Sequence, residues 1–460
     1  MEEDPTLVRM LKSPIGELST GMKLDDGSKV AVIGGGPAGS FFAIFLLDLA
    51  HRMGMDVDVD IYEPRPFTKP GPVGCNMCGG IISESLVQVL AADGINLPST
   101  IVQRGIDSYT LHMDVGTVQI KTPLDEKRIG AVYRGSGPRD IKEIKWGSFD
   151  GHLQQLAIDK GANVITERVT GVNWTSVGPQ ISMKDSGPVP YDLLVVSVGV
   201  NTNALKLFQD LEIPYEPPKT TKTFIREFYL GQEQIEQQLG SSMHVFLLDI
   251  PRLEFAAIVP KGDYVSLCLL GDEIDKDLIN AFLDSPEVTN LMPPEILLKK
   301  GSCQCSPRIS IDGAVQPYDN QLVFIGDSGV TRLYKDGIGA AYRTAKAAAT
   351  TAIFHGISKE DFEQHYWPAC QRISKDNNIG KIVFFITGMI QKWRFTRRAM
   401  LRMVRSEQQN EDNPRRMSTV LWDTFTGSAP YREIFLRSLH PAFLTRFLWD
   451  NVLSIFRIGV

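Results

Sequence analysis

Cysteine is scarce in this chain: six among 460 residues are too few for a disulfide scaffold. The first residues do not read as a secretory leader, so a reducing, cytoplasmic setting is expected. Long apolar runs are missing too. The best candidate late in the chain, Ile382 to Ile390, is nine residues long, against the roughly 18 that crossing a bilayer requires. Neither sign of charge dominates: 48 Lys and Arg against 54 Asp and Glu leave −6. That balance argues against general nucleic-acid binding. There is no internal repeat and no low-complexity tract. With 43% hydrophobic and 22% charged residues, the chain reads as globular rather than disordered or coiled-coil.

What is present is first a strand, a glycine turn, a helix and a strand. Lys29 to Ile33 is a short apolar strand, Ser40 to Met53 an apolar helix, and Val57 to Tyr62 a second strand. Between the first two, Gly34-Gly35-Gly36-Pro37-Ala38-Gly39 supplies G-x-G-x-x-G. Gly34 permits the tight turn, and Gly36 lets a pyrophosphate approach the backbone. Pro37 and Ala38 open the helix whose positive end faces the phosphates, and Gly39 lets that helix pack on the strand. Glu63 ends the next strand, 24 residues beyond Gly39, near the spacing of a ribose-binding carboxylate; Arg65 follows it. The pattern predicts dinucleotide binding, with an ordinary tight turn as the plainer alternative.

A distant segment separates FAD from NAD. Val323 to Asp327 reads as a strand ending in Gly-Asp, and Gly337-Ile338-Gly339 opens an alanine-rich helix reaching Phe354. Asp327 is placed to bind a ribityl hydroxyl, and the helix N-terminus to stabilise negative charge on a reduced flavin. FAD is therefore the expected cofactor. A second G-x-G-x-x-G is lacking, so electrons are expected from transiently bound NAD(P)H or from a redox protein such as a ferredoxin-like donor. Elsewhere Tyr109 to Ile120 resembles a hairpin, Phe149 to Lys160 a helix, and Leu193 to Val198 a buried parallel strand. Residues 221–271 read as alternating runs of an antiparallel sheet, and from residue 356 the chain turns helical.

These segments resemble the FAD-dependent geranylgeranyl reductase family, within the p-hydroxybenzoate hydroxylase-type flavoproteins. The likeness rests on the glycine turn, Glu63, Cys78-Gly79-Gly80, Phe149-Asp150 with Leu153, Pro260 to Ser266, Gly326-Asp327 and Gly337-Ile338-Gly339. It covers residues 29 to about 355. It implies an α/β fold: an interrupted Rossmann-like FAD-binding domain, an antiparallel β substrate domain over the isoalloxazine, and a lipid-like alkene as substrate. The expected division is a leader at 1–28, the FAD-binding domain at 29–104, 128–200 and 303–355, the substrate domain at 105–127 and 201–302, and a helical, basic region at 356–460. Where the family has aromatics before its Pro-Lys-Gly-Asp, this chain has Phe255-Ala256-Ala257-Ile258-Val259, so the pocket wall is altered. No W-x-W-x-I-P segment is present, which disfavours a halogenase.

Cys75 and Cys78 form C-x-x-C, and Cys303 and Cys305 form C-x-C. Four readings stand side by side. Cys78 lies by the flavin and delivers a proton, as the resemblance implies; Cys75 and Cys78 are a redox dithiol; all four hold a metal or cluster; or they are buried free thiols. Cys268 and Cys370 read as packing residues. Tyr264 is a second, weaker proton donor, and Arg134 and Arg139 are candidate cofactor or anion contacts. The expected reaction is hydride transfer from reduced flavin to a C=C bond of a hydrophobic substrate. The alternatives are a flavin monooxygenase or hydroxylase, and a quinone or thiol–disulfide oxidoreductase using Cys75 and Cys78.

Charge is uneven. Lys381 to Arg405 holds seven Lys or Arg and no acid. Arg394, Arg397, Arg398, Arg402 and Arg405 share one helical face, with Ile386, Met389, Trp393, Met400, Met403 and Val404 largely on the other. A second apolar stretch with arginines runs from Phe435 to Phe456. Residues 381–460 are expected to attach the protein peripherally to a membrane surface, the inner face of the cell membrane. The alternatives are packing on the protein's own acidic surface or a dimer contact.

Overall fold

The computed structural model describes residues 21–75, 77–122, 129–176, 178–209, 211–297, 303–409 and 414–456. Residues 1–20, most of the expected leader, lie outside the described residues.

Ser28–Ile33 is buried on both faces, with Val30, Ala31 and Val32 fully enclosed, as the inner strand of a parallel sheet must be. Val30 faces Val59 of Val57–Tyr62 on one side and Leu193 of Leu193–Val196 on the other. Asn163–Ile165 and Leu322–Phe324 extend the parallel sheet outward, and Tyr318–Asp319 closes one edge antiparallel. Helix α1 (Pro37–Met53) begins with proline at its first turn and ends at Gly54, φ 69°, the residue types each position favours. It packs against α2 (Phe149–Asp159) and α3 (Gly337–Phe354). Tyr342 of α3 meets Phe41 and Phe45 of α1 edge-on at 5.7 and 5.4 Å.

The second sheet has seven strands, in the order Gln304–Cys305, Phe224–Tyr229, Tyr264–Gly271, Leu253–Lys261, Ser242–Phe246, Ser108–Met113 and Gly116–Lys121. The hairpin expected near Val115 turns there, with Met113 opposite Gly116. The runs in 221–271 do not alternate between core and solvent; both faces are buried. Phe255, Ala257 and Val259 join a cluster with the C-terminal helices, while Ala256 and Ile258 join one with Phe282 and Leu297.

The C-terminal helices are α4 (Trp367–Lys392), α5 (Arg394–Gln409), α6 (Arg416–Thr426), α7 (Tyr431–Ser438) and α8 (Pro441–Ile455). Helix α5 turns its apolar side into the protein. Met400, Met403 and Val404 are buried against the Ser108–Lys121 hairpin, among Leu111, Val118 and Ile120. Three of its arginines, Arg397, Arg402 and Arg405, are spent on the protein itself. Arg397 is only 7% exposed and grips Asp114 through Nε at 2.6 Å and Nη2 at 3.1 Å. Arg402 approaches the buried Asp450 of α8 at 3.7 Å, and Arg405 donates to the Thr117 carbonyl. Acidic groups at a hairpin turn and on a neighbouring helix, distant in sequence, decide which way these arginines point.

Across the Ser108–Met113 and Ser242–Phe246 pair, His112 Nε2 and His244 Nδ1 lie 2.9 Å apart, and His112 stacks on Phe246. Burial pushes His112 down to about 3 and His244 down to about 4.

Two predictions follow from this packing. Asp114→Ala strands a buried guanidinium whose Nη1 already has no partner, whereas Arg397→Ala leaves a carboxylate that is 40% exposed and free to hydrate. Asp114→Ala is therefore expected to cost ~2–4 kcal/mol and Arg397→Ala less, read by urea unfolding. For the histidines, the unfolded chain takes up protons below about pH 6.5 while the folded chain resists. Stability present at pH 7 is lost as pH falls toward the depressed folded values, by on the order of 2 kcal/mol for each histidine at pH 5. A His112→Asn, His244→Asn double variant should flatten that pH dependence.

Candidate active site

The glycine turn is set by close approach. Gly34 has φ 104°, and a Cβ there would sit 2.7 Å from the Ser197 carbonyl oxygen. At Gly39 a Cβ would fall 2.0 Å from the Gly34 carbonyl oxygen, so the α1 backbone rests directly on the strand end. Ser197, which the sequence did not flag, donates its hydroxyl to the carbonyls of Ile33 and Gly34. No side chain caps α1 at Gly36, leaving its positive end open. Glu63, 2% exposed, accepts from the Gly35 amide at 3.0 Å and from Arg65 Nε at 3.0 Å. The buried Gln154 amide nitrogen has no partner among the described residues, and it lies against Gly35. It was missed because nothing in the Gln154-Gln155 pair distinguishes an inward residue before α2 is placed.

At the other end of the site, Asp327 is half-buried. Desolvation pushes its carboxyl up, and the Thr331 hydroxyl and the Arg134 charge pull it back. Asp336 precedes α3 with φ 54°, and a Cβ on Gly339 would fall 2.1 Å from its Oδ1. Gly339 thus makes room for Asp336 instead of facing a ligand. Arg134 pairs with Asp150 through Nε and, at 2.9 Å, through Nη2. Burial opposes the Arg134 charge, but Asp150 and the Cys78 thiol more than offset it, and its pKa is raised.

The cysteine loop lies between these ends. Cys75 Sγ accepts from the Met77 amide at 3.2 Å, and Cys78 Sγ from the Gly80 amide at 3.4 Å. Burial raises Cys75, with Glu227 adding and Lys261 and Arg134 subtracting. Cys268 is no remote packing residue: a Cβ on Gly79 would meet its sulfur at 2.9 Å. On the sheet, Cys268 and Cys305 flank Ile225 from opposite sides. Cys370 is fully buried in the core behind the parallel sheet. Beneath the loop Lys261, 1% exposed, lies 3.9 Å from Glu227, which accepts from the Ser266 hydroxyl. All six cysteines are free thiols. Among the described residues no three His, Cys, Asp or Glu side chains converge as a metal site requires.

One cavity of about 850 Å³ gathers Gly34, Gly36, Pro37, Ala38, Glu63, Arg65, Cys75, Cys78, Gly79, Gly80, Arg134, Asp327, Gly337 and Ile338. Gly39, Gly339, Tyr264 and Arg139 are not among its lining residues. Tyr264 stands instead beside Tyr229 and Asp140, its pKa raised chiefly by burial. The rest of the wall mixes polar groups, among them Arg168, Arg308 and Lys335, with an apolar stretch of Met243, Phe255, Ala257, Val259 and Leu270 from the large sheet and Phe425 from α6. A cradle without Cβ atoms, an open helix end, a buried carboxylate and an orphaned amide together fit a dinucleotide, and Asp327 with the α3 end fits a flavin beyond it.

No protein-family model and no curated protein matches the chain. Solved structures do. A geranylgeranyl bacteriochlorophyll reductase-like protein from Thermoplasma acidophilum is 14% identical, with TM-score 0.62 over 93% of this chain and 100% of its own. A flavoprotein/dehydrogenase from Cytophaga hutchinsonii is 13% identical, with TM-score 0.59 over 94% and 100%. A 2-methyl-3-hydroxypyridine-5-carboxylic acid oxygenase is 15% identical, with TM-score 0.56 over 80% and 94%. At these identities the shared property is the fold.

The thiols give a direct check. In denaturant all six should react with Ellman's reagent. In the native protein Cys268 and Cys370, buried and each pushed up to about 12, should stay unreactive at about pH 8. A denatured count of four would reveal a disulfide.

Proposed function

We propose that the chain is an FAD-dependent oxidoreductase that reduces C=C bonds of a hydrophobic, isoprenoid- or lipid-like substrate. One observation carries the reading: the glycine turn, Glu63, Asp327 and the α3 N-terminus open on the same cavity as an apolar sheet face. The fold shared with a geranylgeranyl bacteriochlorophyll reductase-like protein supports it. When bound, FAD supplies a hydride to the alkene. Glu63 takes the ribose hydroxyls, the open end of α1 the pyrophosphate, and Asp327 the ribityl chain. The α3 end stabilises negative charge on the reduced ring. Cys78 delivers the proton to the second carbon, held in place by Arg134, which Asp150 anchors in turn. Phe255, Ala257 and Val259 keep water from the reacting carbons. Electrons arrive from NAD(P)H or a ferredoxin-like protein.

The fold shared with an oxygenase favours a second reading, a flavin hydroxylase. A thiol–disulfide or quinone oxidoreductase would work through Cys75 and Cys78 instead. Purified protein should show flavin absorption bands, and Gly39→Ala should abolish them. Under strict anaerobiosis with reduced flavin, an isoprenoid alkene should be saturated; product only in air means hydroxylation. Cys78→Ser should retain flavin but slow saturation ~10²-fold or more. An unchanged rate removes Cys78 from the reaction, and equal loss in Cys75→Ser points to a dithiol.

A further inference from the structure

Of the 22 large hydrophobic side chains exposed among the described residues, 13 lie between Ile382 and Phe456. They are ordered. On α4, Ile382, Phe385 and Met389 follow at helical steps and Trp393 caps the helix end, with Phe385 68% and Trp393 54% exposed. On α8, Leu448 is 63% and Trp449 58% exposed. Helix α7 packs against α4 and touches α8, adding the exposed Leu436. The opposite sides of these helices are already in the core through Phe384, Ile434 and Phe443. They are thus apolar on two sides, a pattern that calls for a cover on the outer one.

We propose that this α4–α7–α8 face docks on an anionic lipid bilayer surface. Between Asp376 and Glu407 the chain has no acidic residue. Lys392 is exposed, and Arg394, 3.8 Å from Asp114 but still 63% exposed, stands beside Trp393, where α4 gives way to α5. Arg432 adds a cation on α7, while Glu433 there is held by Arg437 at 3.0 Å. Tryptophans flanked by cations suit the headgroup boundary. A second copy of this face would bring like charges together, which favours lipid over self-association. Among the described residues no helix is long and apolar enough to cross a membrane, so the face lies on the bilayer. The lipid face is α4, α7 and α8, within the 381–460 region that the sequence singles out, while most of the α5 arginine face turns to the protein.

The face also adjoins the cavity. Phe384, the residue before Phe385, stacks on Phe255 at 6.1 Å and meets Tyr334 at 4.9 Å, and both line the cavity. One turn of α4 therefore separates the apolar end of the cavity from the lipid-facing side chains. A bilayer-dissolved substrate would enter from that side; this point alone rests on the proposed reductase reading.

The test is flotation of the full chain with vesicles of phosphatidylcholine alone and of phosphatidylcholine mixed with phosphatidylglycerol. Protein should rise with the mixed vesicles at low salt and less well at high salt. Phe385→Glu with Leu448→Glu should weaken partitioning roughly tenfold or more. Phe385→Ser with Leu448→Ser should do the same without adding charge, and circular dichroism should show both variants folded. Lys392→Glu with Arg394→Glu should reduce binding to the mixed vesicles only. The proposal fails if the wild-type chain floats with neither vesicle, or if the folded double variants float as well as wild type. It fails equally if sedimentation shows a dimer of 51.1-kDa chains that the double variants dissociate. The readout is protein, not flavin, so it stands apart from the outcome of the cofactor experiments.

Discussion

A single buried guanidinium joins the site to the rest of the molecule. Arg332, 6% exposed, reaches Asp336 at the start of α3 at 3.1 Å and Asp376 of α4 at 3.6 Å. It also donates to the carbonyls of Gly427 and Ala429, between α6 and α7. A charge so deep is tolerated only when its hydrogens are met. The segment around it is fixed from both sides: Asn377 bonds the Leu333 amide and the Thr331 carbonyl, and the Tyr431 hydroxyl bonds the Leu333 carbonyl. Lys335 next door donates to the carbonyls of Asp423 and Thr424. The end of α3 is therefore held by helices contributed by the last hundred or so residues, and the cavity is incomplete without them.

The same rule shapes the cysteine loop. Arg134 with Asp150, and Lys261 with Glu227 and Ser266, are buried charges kept by their partners. They surround thiols whose own ionisation burial discourages, as at Cys75 and Cys268. Such a setting keeps Cys75 and Cys268 as neutral thiols rather than thiolates. It also explains the glycines. At Gly80 a Cβ would fall 2.0 Å from the Val132 carbonyl oxygen and 3.0 Å from Lys261 Nζ, so the loop is pressed onto the charged layer beneath it.

Local patterns were legible where one short segment carries both the structure and the chemistry. The glycine turn, Glu63 and the strand leading to Asp327 declare themselves within a few residues, because tight turns and buried parallel strands restrict composition. The large sheet was legible as strands but not in its burial. Phe255 and Ala256 look like neighbours in a run, and only helices packed on both sides explain why neither meets water. Lys261 sat inside a quoted segment without a role, since its partner Glu227 lies on another strand. Tyr264 looked like a donor because it is close in sequence to that segment, yet the strand turns its phenol away from the cavity.

By itself the sequence determined the opening strand–turn–helix, the two separated halves of the parallel sheet, the α3 entry at Gly337 and the helical character of the C-terminal region. Each of these rests on periodicity or on backbone conformations few residues allow. Tertiary structure alone decided which charges are used internally and which face outward. The α5 arginines meet Asp114 and Asp450, and Met400 and Met403 enter the core, while the apolar sides of α4 and α8 are left uncovered. An amphipathic pattern fixes that a helix has two faces; which of them is buried depends on the charge and shape of surfaces brought to it from elsewhere in the chain.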